Sequence, residues 1–184
     1  MSLRIATLSL LLITLAGCSL PGTQSETAVG EGLTPYTGSG YSMSVPSTWN
    51  TTPSVSLPMP RHGQVVLTAV SPEIRYGFSN NIIIMQDALD TPMTSRKYSE
   101  LNQIQTTRNY LEYTKLSDEV ILFEDEDESR IYVFEARYNT TTQRMKFIQT
   151  AKVCGTRVYL MHAAIALDKD AANYTSLFKS FQCK

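Results

Sequence analysis

The chain has 184 residues, 42% of them hydrophobic, and its 16 basic and 17 acidic side chains leave a formal net charge of −1. That balance supplies neither a basic field to attract nucleic acid nor a polybasic patch to hold a membrane surface. The length suits one domain with a real core, since a chain near 150 residues buries roughly 70% of its unfolded surface.

Residues 1–17 read as an address rather than as part of the fold. Arg4 and the amino terminus form a positive start, and Ile5 to Leu15 (IATLSLLLITL) is an uncharged apolar run. Its eleven residues fall short of the ~20 that a bilayer-spanning helix needs. Leu15, Ala16 and Gly17 then give a small-residue exit before Cys18, the pattern of a segment removed on export. The run LAGC from Leu15 to Cys18 resembles the bacterial lipobox. That resemblance implies cleavage before Cys18, lipid on its sulfur, and attachment to a membrane through acyl chains, two of which make a stable anchor. It also implies a place in the bacterial cell envelope. Ser19, unlike an aspartate there, permits transfer to an outer membrane if the host has one; otherwise the expected place is the extracytoplasmic face of the cell membrane. Losing Arg4 takes the formal charge from −1 to −2.

Residues 18–38 (CSLPGTQSETAVGEGLTPYTG) are rich in Gly, Ser, Thr and Pro without apolar period, the composition of a flexible tether. The domain is expected over 39–184. Tyr41 to Val45 alternates as a first strand, halted by Pro46, with Trp49 in the following turn. Residues 51–63 carry Pro53, Pro58 and Pro60 and read as a loop. Gln64 to Ser71 and Asn81 to Gln86 are β-rich. From Ser95 to about Tyr113 the period changes to helical: Tyr98, Leu101, Ile104 and Leu111 fall near one face, and Thr94 or Ser95 can cap the start.

A meander is expected next: Val120 to Phe123, then Arg130 to Tyr138, Gln143 to Val153 and Arg157 to Leu167. Tyr132, Phe134, Ala136 and Tyr138 alternate on one face, as do Met145, Phe147, Ala151 and Val153, which points to an antiparallel sheet covered on one face. A second helix is expected over about 168–181, capped by Asp168 or Asp170. Tyr174, Leu177, Phe178 and Phe181 give it the apolar stripe of a helix lying on a sheet. Its connection to the last strand is very short, so it must double back. That brings Cys183 near Cys154, and in an exported protein these two are expected to pair.

The order strand, Pro-Trp turn, sheet, helix, meander, helix resembles the PsbP-like fold, shared by photosystem extrinsic proteins, Mog-type Ran-binding proteins and small bacterial lipoproteins. The likeness is carried by GYSMSVPSTW (Gly40 to Trp49), NNIIIM (Asn80 to Met85), the block from Tyr132 to Ala164, and YTSLFKSFQ (Tyr174 to Gln182). It implies an α+β fold, an α/β/α sandwich around a central antiparallel sheet. It further implies a non-enzymatic role: docking to or helping assemble a membrane complex, or binding a protein.

The residues themselves offer little chemistry. No G-x-S-x-G elbow exposes a nucleophile, and no phosphate loop or dinucleotide glycine pattern is present, so neither an enzyme nor a cofactor is expected. His62 lies in the Pro-rich loop. His162 alternates with Val158 and Leu160 and reads as a sheet residue rather than a metal ligand. Glu124, Asp125, Glu126, Asp127 and Glu128 form the sharpest charge run. It reads as a solvated hairpin tip, as a docking point for a basic partner, or as a weak calcium patch, although the EF-hand spacing is absent. The expected function is a membrane-anchored lipoprotein that binds or helps assemble another envelope protein, with a small-molecule or calcium-binding lipoprotein as the alternative.

Overall fold

A computed structural model of the chain describes residues 32–53 and 63–184. The signal segment, Cys18, most of the expected tether, and His62 lie outside the described residues.

The described chain begins with a hairpin, β1 (Leu33–Gly38) and β2 (Tyr41–Pro46), in register from Leu33 opposite Pro46 to Gly38 opposite Tyr41. The two-residue turn needs Gly40, whose φ of 83° is costly for any side chain. A Cβ there would also meet Arg157 Nη1 at 2.9 Å and the Tyr159 hydroxyl at 3.0 Å. The reading of residues 33–38 as tether is thereby corrected. LTPYTG shows no apolar alternation because β1 is an edge strand exposed along most of its length. β3 (Asn50–Thr52) also falls where a loop was expected, as a short exposed edge on β4 (Gln64–Val70).

β3, β4, β5 (Asn81–Ala88), β6 (Leu111–Leu122), β7 (Glu128–Arg137), β8 (Met145–Cys154) and β9 (Arg157–Ile165) form one antiparallel sheet in the order β3-β4-β5-β9-β8-β7-β6. Its centre is covered on both faces, not one as alternation suggested. Tyr132, Phe134, Ala136, Met145 and Phe147 pack on one side. Ile131, Val133, Ile148, Met161, Ala163 and Ile165 join the larger core on the other. The helix α1 (Ser95–Asn109) lies over β7 and β8 on the first side. The second side is closed by the hairpin β1-β2, by α2 (Ala171–Lys179) and by β10 (Gln182–Cys183), which pairs with β2. Helices therefore flank an antiparallel sheet on both sides, the α/β/α arrangement that the resemblance implied.

The C-terminal segment is built as its stripe predicts. Asp170 Oδ1 accepts from Ala172 N at 3.0 Å and caps α2, whose Tyr174, Leu177 and Phe178 are buried. Phe181 follows into the core, stacked on Tyr41 with ring centroids 5.1 Å apart. The chain then reaches the β8-β9 turn, where Cys154 and Cys183 form a disulfide with Cα atoms 5.6 Å apart.

Two elements differ from expectation in ways that matter for function. α1 stops at Asn109 and the chain turns at Glu112, which has φ of 53°, so the segment read as the helix end is the beginning of β6. α1 also buries the opposite residues. Ser95, Ser99, Gln103 and Thr106 face the sheet, while Leu101 and Ile104 are 42% and 48% exposed.

Candidate functional site

The acidic run occupies the β6-β7 turn. Phe123 is buried at its base; Phe123 N donates to Asp127 O, and Glu126 N donates to Phe123 O, each at 3.0 Å. Beneath the turn lies Lys152, whose side chain is 1% exposed. Its Nζ sits 2.5 and 2.7 Å from the two oxygens of Asp125, 3.1 Å from Asp127 Oδ2, and 4.6 Å from the centre of the Phe123 ring. The Lys152 hydrogen bond holds the Asp125 carboxyl below the usual carboxylate range. Ser95 Oγ donates to Asp127 Oδ2 at 2.5 Å and accepts from Val153 N at 2.7 Å, so the first residue of α1 is tied to the same point. Arg96 reaches Glu128 at 2.5 Å, and Gln182 Nε2 donates to Glu124.

Among the described residues only the Glu126 side chain of the five has no partner. The run is a clamp joining a hairpin tip to α1, β8 and the C-terminal strand, rather than a row of free carboxylates. Lys152 is the residue that sequence reading missed. It sits at an alternating position of a long strand, and only the fold brings it under a turn 27 residues earlier.

The seam between α1 and the sheet is polar. Ser99 Oγ donates to Arg130 O at 2.7 Å, and Thr106 Oγ1 donates to Gln149 Oε1 at 2.9 Å. Gln103 Nε2 donates to the Tyr113 hydroxyl, while Gln103 Oε1 finds no partner among the described residues. His162 stands directly across from Gln149 in the β8-β9 ladder. Its Nε2 is 3.3 Å from the Tyr110 hydroxyl and its ring is 5.2 Å from that of Phe147. Burial lowers its pKa from 6.5 to about 4, so it is neutral at ordinary pH. Among the described residues no three His, Cys, Asp or Glu side chains are grouped to hold a metal ion.

The other side of α1 faces solvent. Lys97, Leu101, Ile104 and Arg108 follow one another at spacings of four, three and four, one continuous stripe of a 3.6-residue helix. Neither Lys97 nor Arg108 has an ion-pair partner among the described residues. Beside the helix runs β6, the sheet edge, with Leu116, Val120 and Leu122 each about half exposed. Register shifts at Leu111/Thr114 and Lys115/Ser117 disturb its first half, a device that blunts an edge against further pairing. The regular half from Ser117 to Leu122 has no such protection.

A cleft of about 550 Å³ lies between the small sheet and the far end of the large one, with Tyr36, Thr37, Pro53, Gln64, Gln86 and Arg157 in its walls. Below it Tyr41, Tyr159 and Phe181 pack ring to ring. Trp49 lies partly buried against the main core, 6.2 Å from the ring of Tyr174. Cys154 and Cys183 are joined as described. No helix among the described residues is long and apolar enough to cross a membrane.

No family model matches the chain, and no curated protein matches it. Solved structures do. The solution structure of cyanobacterial PsbP (CyanoP) from Synechocystis sp. PCC 6803 is similar over 92% of this chain and 99% of that one, at 14% identity and a TM-score of 0.57. The Ran-binding protein Mog1p of Saccharomyces cerevisiae aligns over 78% of this chain and 90% of its own at 9% identity, with a TM-score of 0.47. At such identities the likeness to CyanoP establishes the fold alone, and this chain has a PsbP-like α+β fold.

Proposed function

We propose that this chain is a lipid-anchored lipoprotein of the bacterial envelope whose PsbP-like domain binds another envelope protein or helps assemble a complex, without catalysis. Residues 1–17 are its signal peptide and Cys18 carries the lipid. A tether runs from there to the domain, which begins by Gly32. The observation that carries the binding role is the inverted build of α1: polar side chains face the sheet underneath, and two large aliphatic side chains face water beside an open sheet edge. Exposed apolar groups gathered on one side of a small domain are the usual mark of a contact surface. The calcium alternative has no matching support, since Lys152, Arg96, Ser95 and Gln182 engage four of the five carboxylates.

Lysine-reactive crosslinking of native membranes is expected to yield one specific heteromeric complex. Recovery of the monomer alone under several growth conditions would count against the binding role. Cys18→Ser is expected to move the protein from the membrane to the soluble fraction or to block its processing. Unchanged membrane association would refute the anchor.

A further inference from the structure

The outward stripe of α1 has a definite chemical character. Leu101 and Ile104 stand at its middle, and a cation stands at each end, Lys97 in the first turn and Arg108 in the last. Eleven residues at ~1.5 Å each separate the two charges by about 16 Å. Neighbouring charges do not cancel them. Arg96 and Glu100 pair with each other one row away, at 3.2 Å, and Arg96 also holds Glu128. Lys97 and Arg108 remain unpaired among the described residues. An apolar centre with basic ends is complementary to the reverse pattern.

We propose that this face docks a protein segment presenting apolar side chains between carboxylates, with Leu101 and Ile104 covering the apolar groups and Lys97 and Arg108 taking the acids. The proposal rests on the binding role above and names its surface and partner chemistry. Two observations favour a protein over a lipid surface. The described chain begins at the hairpin β1-β2, which covers the face of the large sheet opposite α1. On the anchor proposed above, the segment leading to the membrane would join the domain at Gly32, on the side away from α1. Two cations also attract an anionic membrane by only about 1 kcal/mol each. A second copy is the weaker occupant, because four of the five carboxylates of its acidic run are already held by internal partners.

The test places a benzophenone amino acid at Ile104 in the full-length protein in native membranes. The control site is Ile74, 72% exposed in the β4-β5 connection. Irradiation is expected to give a protein adduct from position 104 and none from 74. Mass spectrometry should place the link within a segment bearing Asp or Glu on both sides of apolar residues. The pair Lys97→Glu and Arg108→Glu should lower adduct yield about tenfold, and added salt should weaken it in the unmutated protein. Both positions are exposed, so an unchanged melting curve shows that the fold survives. An adduct to lipid, an adduct to a second copy, a yield indifferent to charge reversal, or no adduct at 104 overturns the proposal. If lysine-reactive crosslinking still captures a specific complex, the α1 face alone is wrong. If that also fails, the binding role falls with it.

Discussion

Lys152 shows how a single side chain organises a surface. Its ammonium is removed from water, which is costly unless several acceptors surround it. Asp125 supplies two oxygens, Asp127 a third, and the Phe123 ring lies against it. Lys152→Met would leave two carboxylates close together without their cation, and a loss of about 1–3 kcal/mol is expected from urea denaturation, since both acids stay partly solvated. Asp125→Asn should also destabilise, with a distinct pH signature. The lowered pKa of Asp125 gives stability that is present above its ordinary value of 3.8 and is lost as pH falls toward the native value. The asparagine variant lacks that acid-side loss. His162 acts in a separate window. Its folded pKa of about 4 lies below 6.5, so the unfolded chain binds the extra proton first. Stability is complete above pH 6.5 and falls by up to about 3 kcal/mol as pH drops to 4. His162→Gln, which can still meet the Tyr110 hydroxyl, should flatten the denaturation midpoint across that interval.

At the scale of elements, burial decided what the sequence could reveal. β7, β8, β9 and α2 were legible because their side chains alternate or stripe against a core. β1 and the first part of β6 were not, because an edge strand exposed on much of its length carries Thr, Lys, Glu and Asp as freely as a loop does; only the end of β6 from Val120 showed. α1 was legible as a helix but not in its orientation. Leu101 and Ile104 suggested the inner face. The inner positions are instead held by hydrogen bonds from Ser95, Ser99 and Thr106, which reach across to Asp127, Arg130 and Gln149. Serine and threonine at helical spacing can mark such a seam, but nothing local separates them from a solvated face. The disulfide belongs to this scale as well. It closes a loop with a sequence separation of 29 and ties β10, whose two residues are exposed, to β8. Reduction is expected to lower unfolding free energy by about 3–4 kcal/mol. Denaturation with and without a reductant checks this, and an unchanged midpoint would mean that β10 is held by its ladder and by Phe181 alone.

For the whole molecule, the layer order was readable from the order of elements, while the surface was not. Sequence singled out Glu124 to Glu128 as the exposed feature; the run does stay partly exposed, yet the fold pairs four of its five carboxylates with Lys152, Arg96, Ser95 and Gln182. The apolar groups that seemed destined for the core at Leu101 and Ile104 are outside. Both reversals have one cause: pairing across long sequence distances cannot be seen in a local pattern.

The central strand of the small sheet also has a mechanical consequence. β2 is flanked by β1, which leads toward the N-terminus, and by β10, which is latched covalently to β8. If the chain is anchored as proposed, a pull from the membrane would load the open end of the β1-β2 hairpin, where Ser47 N donates to Gly32 O. The first strand would then peel away one rung at a time, while the body behind it stays locked shut.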